Sequence, residues 1–305
     1  CSMGAAAITT TGFNLDRKRM SDLLGFAAPL ENSYGCISSV DYVTGLYSAL
    51  KVMFLNMGRF IQDLAQRSAF EVGHIYVPNE FVQISSIMPQ KRNPVPIEHM
   101  RLIASLSSGH CDTIINTMHN TPFTDMNDSE TEVQRAGHQA FESGSRLLLL
   151  LTDFINVVQI DEEKVMKDIG KSCATITEVA DSIARIEGVS FKIAHEIAGD
   201  MAKRVTADEI TLEDFVYKEF QDIYRDHTGM ETNITIEKLK EIGSPDYFIA
   251  VRKIIGGPAL PAFEASLEKY CNIALKQSDE NLTFSRRLIF ARELLTAAVK
   301  KLRVK

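Results

Sequence analysis

Residues 84–94 read Ile-Ser-Ser-Ile-Met-Pro-Gln-Lys-Arg-Asn-Pro and lie between two long helical patterns. The stretch gathers adjacent hydroxyls at Ser85 and Ser86, an ammonium at Lys91, a side-chain amide at Asn93, and prolines at 89 and 94. Those groups offer an oxygen that carries a proton, a fixed positive charge and a hydrogen-bonding partner, and loops on a rigid scaffold are where such chemistry concentrates. Ser, Asn and Pro are also ordinary turn formers. Residue types alone leave a reactive loop and a plain surface turn both open.

The order of the residues is more specific. It resembles the signature loop of the fumarase/aspartase superfamily, Gly-Ser-Ser-x-Met-Pro-x-Lys-x-Asn, and the Pro-Gln-Lys-basic-Asn-Pro run is most similar to the argininosuccinate lyase family. The resemblance implies that Ser85 is the catalytic base, that Lys91 binds and polarises a carboxylate of a succinyl group, and that Asn93 holds substrate with Ser86, Met88 and Gln90 beside it. Ile84 stands where the family has glycine. A β-branched residue there works against the swing that glycine permits.

Four further segments resemble the family. A Gly-Ala-rich opening, residues 4–17, ends in Phe-Asn-Leu-Asp-Arg. Asn32, Ser33 and Asp41 correspond to a segment that lines the substrate site, although Ser39-Val40 stands where the family has an arginine. The segment 120–132 corresponds to the one that contacts the amino-acid end of the substrate, with Asp125 at a tyrosine position, Asp128 retained, Glu130 for glutamine and Val133 for lysine. Losing a cation and gaining carboxylates there favours a cationic or polar amine over an amino-acid carboxylate. Ser129 with Glu132 also fits a capping box, so a purely structural reading of that segment stands beside the functional one. Phe191-Lys-Ile-Ala-His195-Glu196 resembles a family helix whose histidine is structural; a packing histidine is the reading adopted over a general base.

Composition bounds the alternatives. The chain has 305 residues, 45% hydrophobic and 24% charged, enough for a sizeable core and two domains. A net charge of −7 disfavours nucleic-acid binding by phosphate neutralisation. Five scattered cysteines without a Cys-x-x-Cys pair suit reduced thiols in the cytoplasm rather than disulfides or zinc. The apolar run 147–151 falls far short of the roughly 20 residues of a membrane span. The opening Cys-Ser-Met-Gly carries no signal-peptide pattern and reads as an engineered or an internal start.

The elements that must position the loop are helices. Val43, Leu46, Leu50, Met53, Met57, Phe60 and Leu64 recur at spacings of three and four, which predicts a helix over 41–67 with more than one buried face. Pro94 and Pro96 open a second helix, whose positive end would sit beside the loop and favour an anion. A third spans about 130–158. Shorter helices follow: one is capped by Asp161, others are 175–187 and 190–204, and starts fall at Thr211, Thr235 and Ser244. Gly256-Gly-Pro is a stop. Residues 285–305, with seven Lys or Arg, suit an amphipathic helix packed on the protein, with a partner-binding tail as the alternative.

The expectation is an all-α chain, with a central helical bundle over 1–159 and a smaller helical C-terminal domain over 160–305. The resemblance covers the latter part of the family's length and lacks its upstream Thr-His region. It implies a homotetramer with active sites shared between subunits, a small-molecule N-succinyl amine or fumarate as partner, and elimination of fumarate without metal or organic cofactor. No nucleic acid or membrane partner is expected. A non-catalytic homologue of the same fold, serving as scaffold or binding partner, is the alternative.

Overall fold

The computed structural model describes residues 1–127 and 131–303. Asp128, Ser129 and Glu130, and with them the capping-box and Asp128 expectations, lie outside the described residues. The fold is all-α. Its only strands among the described residues are the two-residue pieces β1 (Ile75–Tyr76), β2 (Gln83–Ile84), β3 (Arg92–Asn93) and β4 (Gln159–Ile160). No helix among those residues is long and apolar enough to cross a membrane.

The chain divides into two compact units, Cys1–Gln159 with Lys276–Lys305, and Ile160–Leu275. The first holds α1 (Arg17–Leu24), α2 (Ser33–Ser38), α3 (Asp41–Ser68), α4 (Val95–Met118) and α5 (Thr131–Val157). Asp16 caps α1 and Asn32 caps α2 through side-chain oxygens, each satisfying a backbone donor that the first turn leaves unpaired. The three long helices meet along one apolar seam: Phe54 and Ile61 of α3, Ile97, Met100 and Ala104 of α4, and Ala140, Leu147 and Phe154 of α5 are all buried. Burying each large side chain contributes about 1.5–3 kcal/mol. Glycine makes the seam tight. A Cβ at Gly144 would sit 2.4 Å from the Phe54 ring, and one at Gly137 would sit 2.2 Å from the Tyr47 hydroxyl. Within the chain α3 buries only one of its expected faces, because Leu46, Val52, Leu55 and Phe60 stay exposed.

The second unit contains α6 (Glu162–Lys171), α7 (Ile176–Glu187), α8 (Phe191–Ala207), α9 (Tyr217–Thr228), α10 (Ile236–Gly243) and α11 (Pro245–Ala250). Val179, Ile183, Ile197, Met201, Phe220, Tyr224 and Ile242 form its core. The buried Glu178 carboxylate is held by Arg185, by Arg252 at 2.8 Å and by the Ser182 hydroxyl at 2.9 Å. A charge out of water persists only when paired in this way.

Three expectations change. Thr211 does not open a helix: its hydroxyl and Asp214 bond each other in a turn, and α9 starts at Tyr217. The terminal helix does not begin near residue 285. Helix α12 runs unbroken from Leu260 to Arg303: its one proline, Pro261, sits in the first turn where the missing donor costs nothing, no glycine follows, and Gly256-Gly-Pro ends the turn before it. Residues 276–305 group with the first unit, unlike the expected block of 160–305.

Candidate active site

The signature residues fall on one hairpin. Strands β2 and β3 pair antiparallel with Gln83 opposite Asn93 and Ile84 opposite Arg92, so Ser85–Lys91 is the connection between two anchored legs. Ile84, at the glycine position of the motif, is thereby part of a strand, where β-branched side chains are favoured. Its place in the ladder makes Ser85 the first residue beyond the paired leg.

Within the connection, Ser85 is half-buried, and its Oγ accepts hydrogen bonds from the backbone N–H groups of Ile87 (3.3 Å) and Met88 (3.1 Å). The Lys91 N–H donates to the Met88 carbonyl at 3.0 Å and closes the turn. Two donors aimed at one hydroxyl oxygen stabilise its anionic form over its neutral form. Ser86, Met88, Gln90 and Lys91 are exposed around it. The Asn93 amide donates to the Gln83 carbonyl at 3.0 Å, which ties the legs together and leaves its oxygen available.

The two neighbouring cations differ. Arg92 donates to the Val77 carbonyl at 2.6 Å and to the Asn79 side-chain oxygen, with its guanidinium 4.7 Å from the centre of the Tyr76 ring. Among the described residues the Lys91 ammonium has no carboxylate or hydrogen-bond partner. One cation fastens the loop, and the other makes no such bond among the described residues.

The start of α4 is a weaker anion site than its position behind the loop implies. Pro96 has no N–H, and the N–H groups of Ile97 and Glu98 both bond the Pro94 carbonyl, leaving Val95 as the free donor of the first turn. The carboxylate of Glu98 in that turn further offsets the positive end.

The other expected residues gather elsewhere in the first unit. Asn32 is exposed, and its side-chain oxygen accepts from the Gly35 N–H at 2.9 Å. With Leu30, Cys36, Ser39, Asp41 and Tyr42 it lines a cleft of about 630 Å³. Ser33, half-buried, begins α2. Next to it, Tyr34 stacks on Phe123 with ring centres 5.8 Å apart and donates from its hydroxyl to the Phe123 carbonyl at 2.9 Å. That contact brings the segment carrying the exposed Asp125 to the segment carrying Asn32 and Ser33. Among the described residues no hydrogen bond, ion pair or ring contact joins either segment to the 84–94 hairpin. The structure thus makes two groups of candidate residues, not one.

The Tyr34–Phe123 contact and the fastening role of Arg92 are not apparent from sequence. The partners of the first are 89 positions apart. The only signals are an aromatic beside Asn32-Ser33 and another in the 120–127 loop. His195, in the second unit, is exposed and tilts against Phe191 at 6.0 Å, while Glu196 faces Lys192 and His227 instead.

The hairpin and the three-helix seam define a fumarase/aspartase-type bundle. A family model described as lyase matches residues 1–107, and one described as argininosuccinate lyase C-terminal matches residues 173–250. Argininosuccinate lyase 2 of Agrobacterium fabrum is 53% identical over 284 residues, covering 88% of this chain and 56% of that protein. Argininosuccinate lyase of Methanococcus maripaludis is 28% identical over 273 residues, covering 88% and 54%. A solved EDDS lyase variant with bound fumarate shares the fold with a TM-score of 0.85 at 23% identity, covering 99% of this chain and 60% of that one. The chain belongs to the fumarase/aspartase superfamily, as an argininosuccinate lyase-like member. It spans a little over half the length of the curated relatives it matches.

Proposed function

We propose that this chain carries the base-bearing loop of a lyase that eliminates fumarate from an N-succinyl amine, argininosuccinate or a related compound. The observation that carries the reading is the Ser85 hydroxyl oxygen under two backbone donors, on the same loop as a Lys91 ammonium that has no partner among the described residues. Identity of 53% to an argininosuccinate lyase supports it.

In this reading Ser85, as its alkoxide, takes the proton from the carbon beside a substrate carboxylate. A free serine is a weak base, and the Ile87 and Met88 N–H groups lessen that handicap. The electron pair of the broken C–H bond moves into the carboxylate, giving an aci-carboxylate whose negative charge Lys91 offsets. The pair then returns to form the C=C bond as the C–N bond breaks. The departing nitrogen keeps the C–N pair and takes up a proton, so the products are fumarate and the free amine. The family's Thr-His region is not among these residues, so the proton donor to nitrogen is placed outside them.

Ser86, Met88, Gln90 and Asn93 line the succinyl side in this proposal, and Asn32, Ser33, Asp125 and Asp128 the amine side. Asp125 favours an amine bearing positive or polar groups. The two groups of residues complete one another across subunits of a homotetramer. The exposed Leu55 of α3, Leu106 of α4 and Leu149 of α5 supply apolar surface for that assembly. We place the protein in the cytoplasm.

The test is fumarate release from argininosuccinate and a panel of other N-succinyl amines, with Ser85→Ala as control. Release by the parent that disappears in the control supports the lyase and identifies its amine. Release that survives Ser85→Ala removes Ser85 as base. No release from any compound, by the chain or by the longest product of its reading frame, favours a scaffold or partner-binding homologue.

A further inference from the structure

We infer that Arg92 is the positioning residue of the signature loop: it pins the loop's exit leg to the 76–79 turn, so that movement is confined to Ser85–Lys91. As a catalytic device this rests on the lyase reading above; as an anchor it stands on geometry alone. One guanidinium meets three features of a single short segment, the Val77 carbonyl at 2.6 Å, the Asn79 side chain and the face of Tyr76 at 4.7 Å. The same residue is register partner to Ile84, which ends the entry leg. Both legs are therefore fixed at the level of Arg92. The neighbouring Asn93 bond to Gln83 closes the pair one step further from the tip.

The planar fork explains the residue type. Two N–H groups of Arg92 reach two acceptors while the guanidinium carbon lies 4.7 Å from an aromatic ring centre, whereas an ammonium donates from a single point, without a fork to span separated acceptors or a plane to stack. A residue needed here merely for positive charge would work as lysine. An anchor would not.

Holding the exit leg sets where Lys91 and Ser85 stand relative to each other, because the Lys91 N–H and the Ser85 Oγ are both tied to Met88. Displacement of about 1 Å in a reacting constellation lowers rates by up to a hundredfold. Arg92 acts through that geometry and touches no reacting atom.

The test compares Arg92→Ala, Arg92→Lys, Asn79→Ala and the Arg92→Ala/Asn79→Ala double variant. Amide hydrogen exchange of the 83–93 segment is expected to speed up at least about tenfold in Arg92→Ala, with Arg92→Lys closer to Ala than to the parent. Asn79→Ala should show a smaller change, and the double variant should be no worse than Arg92→Ala alone. In turnover, kcat/KM for Arg92→Ala is expected to fall on the order of tenfold to a hundredfold and to recover in part when guanidinium ion is added. The thermal midpoint should stay near the parent's. Parent-like exchange in Arg92→Ala overturns the anchor, and full recovery by Arg92→Lys replaces it with a simple charge effect. No fumarate release by the parent or by the longest product of its reading frame sinks the lyase reading, while the exchange result still decides the anchor.

Discussion

Tyr34 donates from its hydroxyl to the carbonyl of Phe123 at 2.9 Å, with the two rings stacked, and so joins segments that lie 89 positions apart in the chain. Both rings are largely exposed, so water competes for the hydrogen bond. Tyr34→Phe keeps the stack and is expected to lower stability by about 0.5–1 kcal/mol. Its larger effect should be a several-fold rise in KM, because Asn32 and Asp125 lose their mutual placement. Urea unfolding and steady-state kinetics separate the two, and a change in unfolding alone would deny the contact a role in binding.

Ser85→Ala removes the proposed base from a half-buried turn without emptying any core. Fumarate release should drop by about 10²–10⁴, the usual range for a positioned proton-transfer group, with an unchanged unfolding midpoint. Lys91→Ala should lose about 10²–10³ in kcat, since a fixed charge facing a developing anion is removed. Rate measurements alongside circular dichroism check both. An intact rate in either variant contradicts its assigned role.

Gly144→Ala tests the seam between α3 and α5. The new methyl would lie 2.4 Å from the Phe54 ring, which is buried in the same core cluster as Ala140 and Leu147. A loss of about 1–3 kcal/mol is expected, as for other overpacked cores. Trimming the opposing ring in Gly144→Ala/Phe54→Leu should return part of that loss. Denaturant midpoints of the single and double variants decide it.

The Glu187 carboxylate tests pH dependence in the second unit. Burial raises its pKa, but hydrogen bonds from the Thr232 hydroxyl, the Asn233 side chain and the Asn233 and Ile234 N–H groups outweigh burial and hold it below the ordinary range. The unfolded chain therefore binds this proton more readily, near pH 4.3. Its stabilising contribution is complete above that pH and disappears as pH falls through the lower folded value. Glu187→Gln should flatten the acid side of the stability curve below about pH 4.3. Urea midpoints taken across that interval would show whether it does.

Local chemistry made much of this molecule legible in the sequence. Asp161 and Ser190 announce helix starts because a cap needs only its own turn, and the three-four spacing from Val43 to Leu64 announces α3. The loop residues were equally legible, since their order is contiguous. Thr211 misled because the same hydroxyl that caps a helix also closes a turn, and no local signal separates the two. Helix α12 was read too short because glycines before Leu260 mark a stop but do not say where the next helix starts. Tyr34–Phe123 and the role of Arg92 depend on partners brought together by folding.

Between Tyr76 and Asn93 the hairpin, its anchor and the residues it presents occupy 18 consecutive positions, with every fastening contact of Arg92 inside that interval. The loop is in this sense a cassette. It is a cassette seated on the bundle, because Val77, whose carbonyl holds Arg92, is buried in the same core cluster as residues of α3, α4 and α5, with Phe81 and Val82 packed against it. The 76–93 interval therefore moves intact into a related bundle only together with an apolar seat that matches those three side chains.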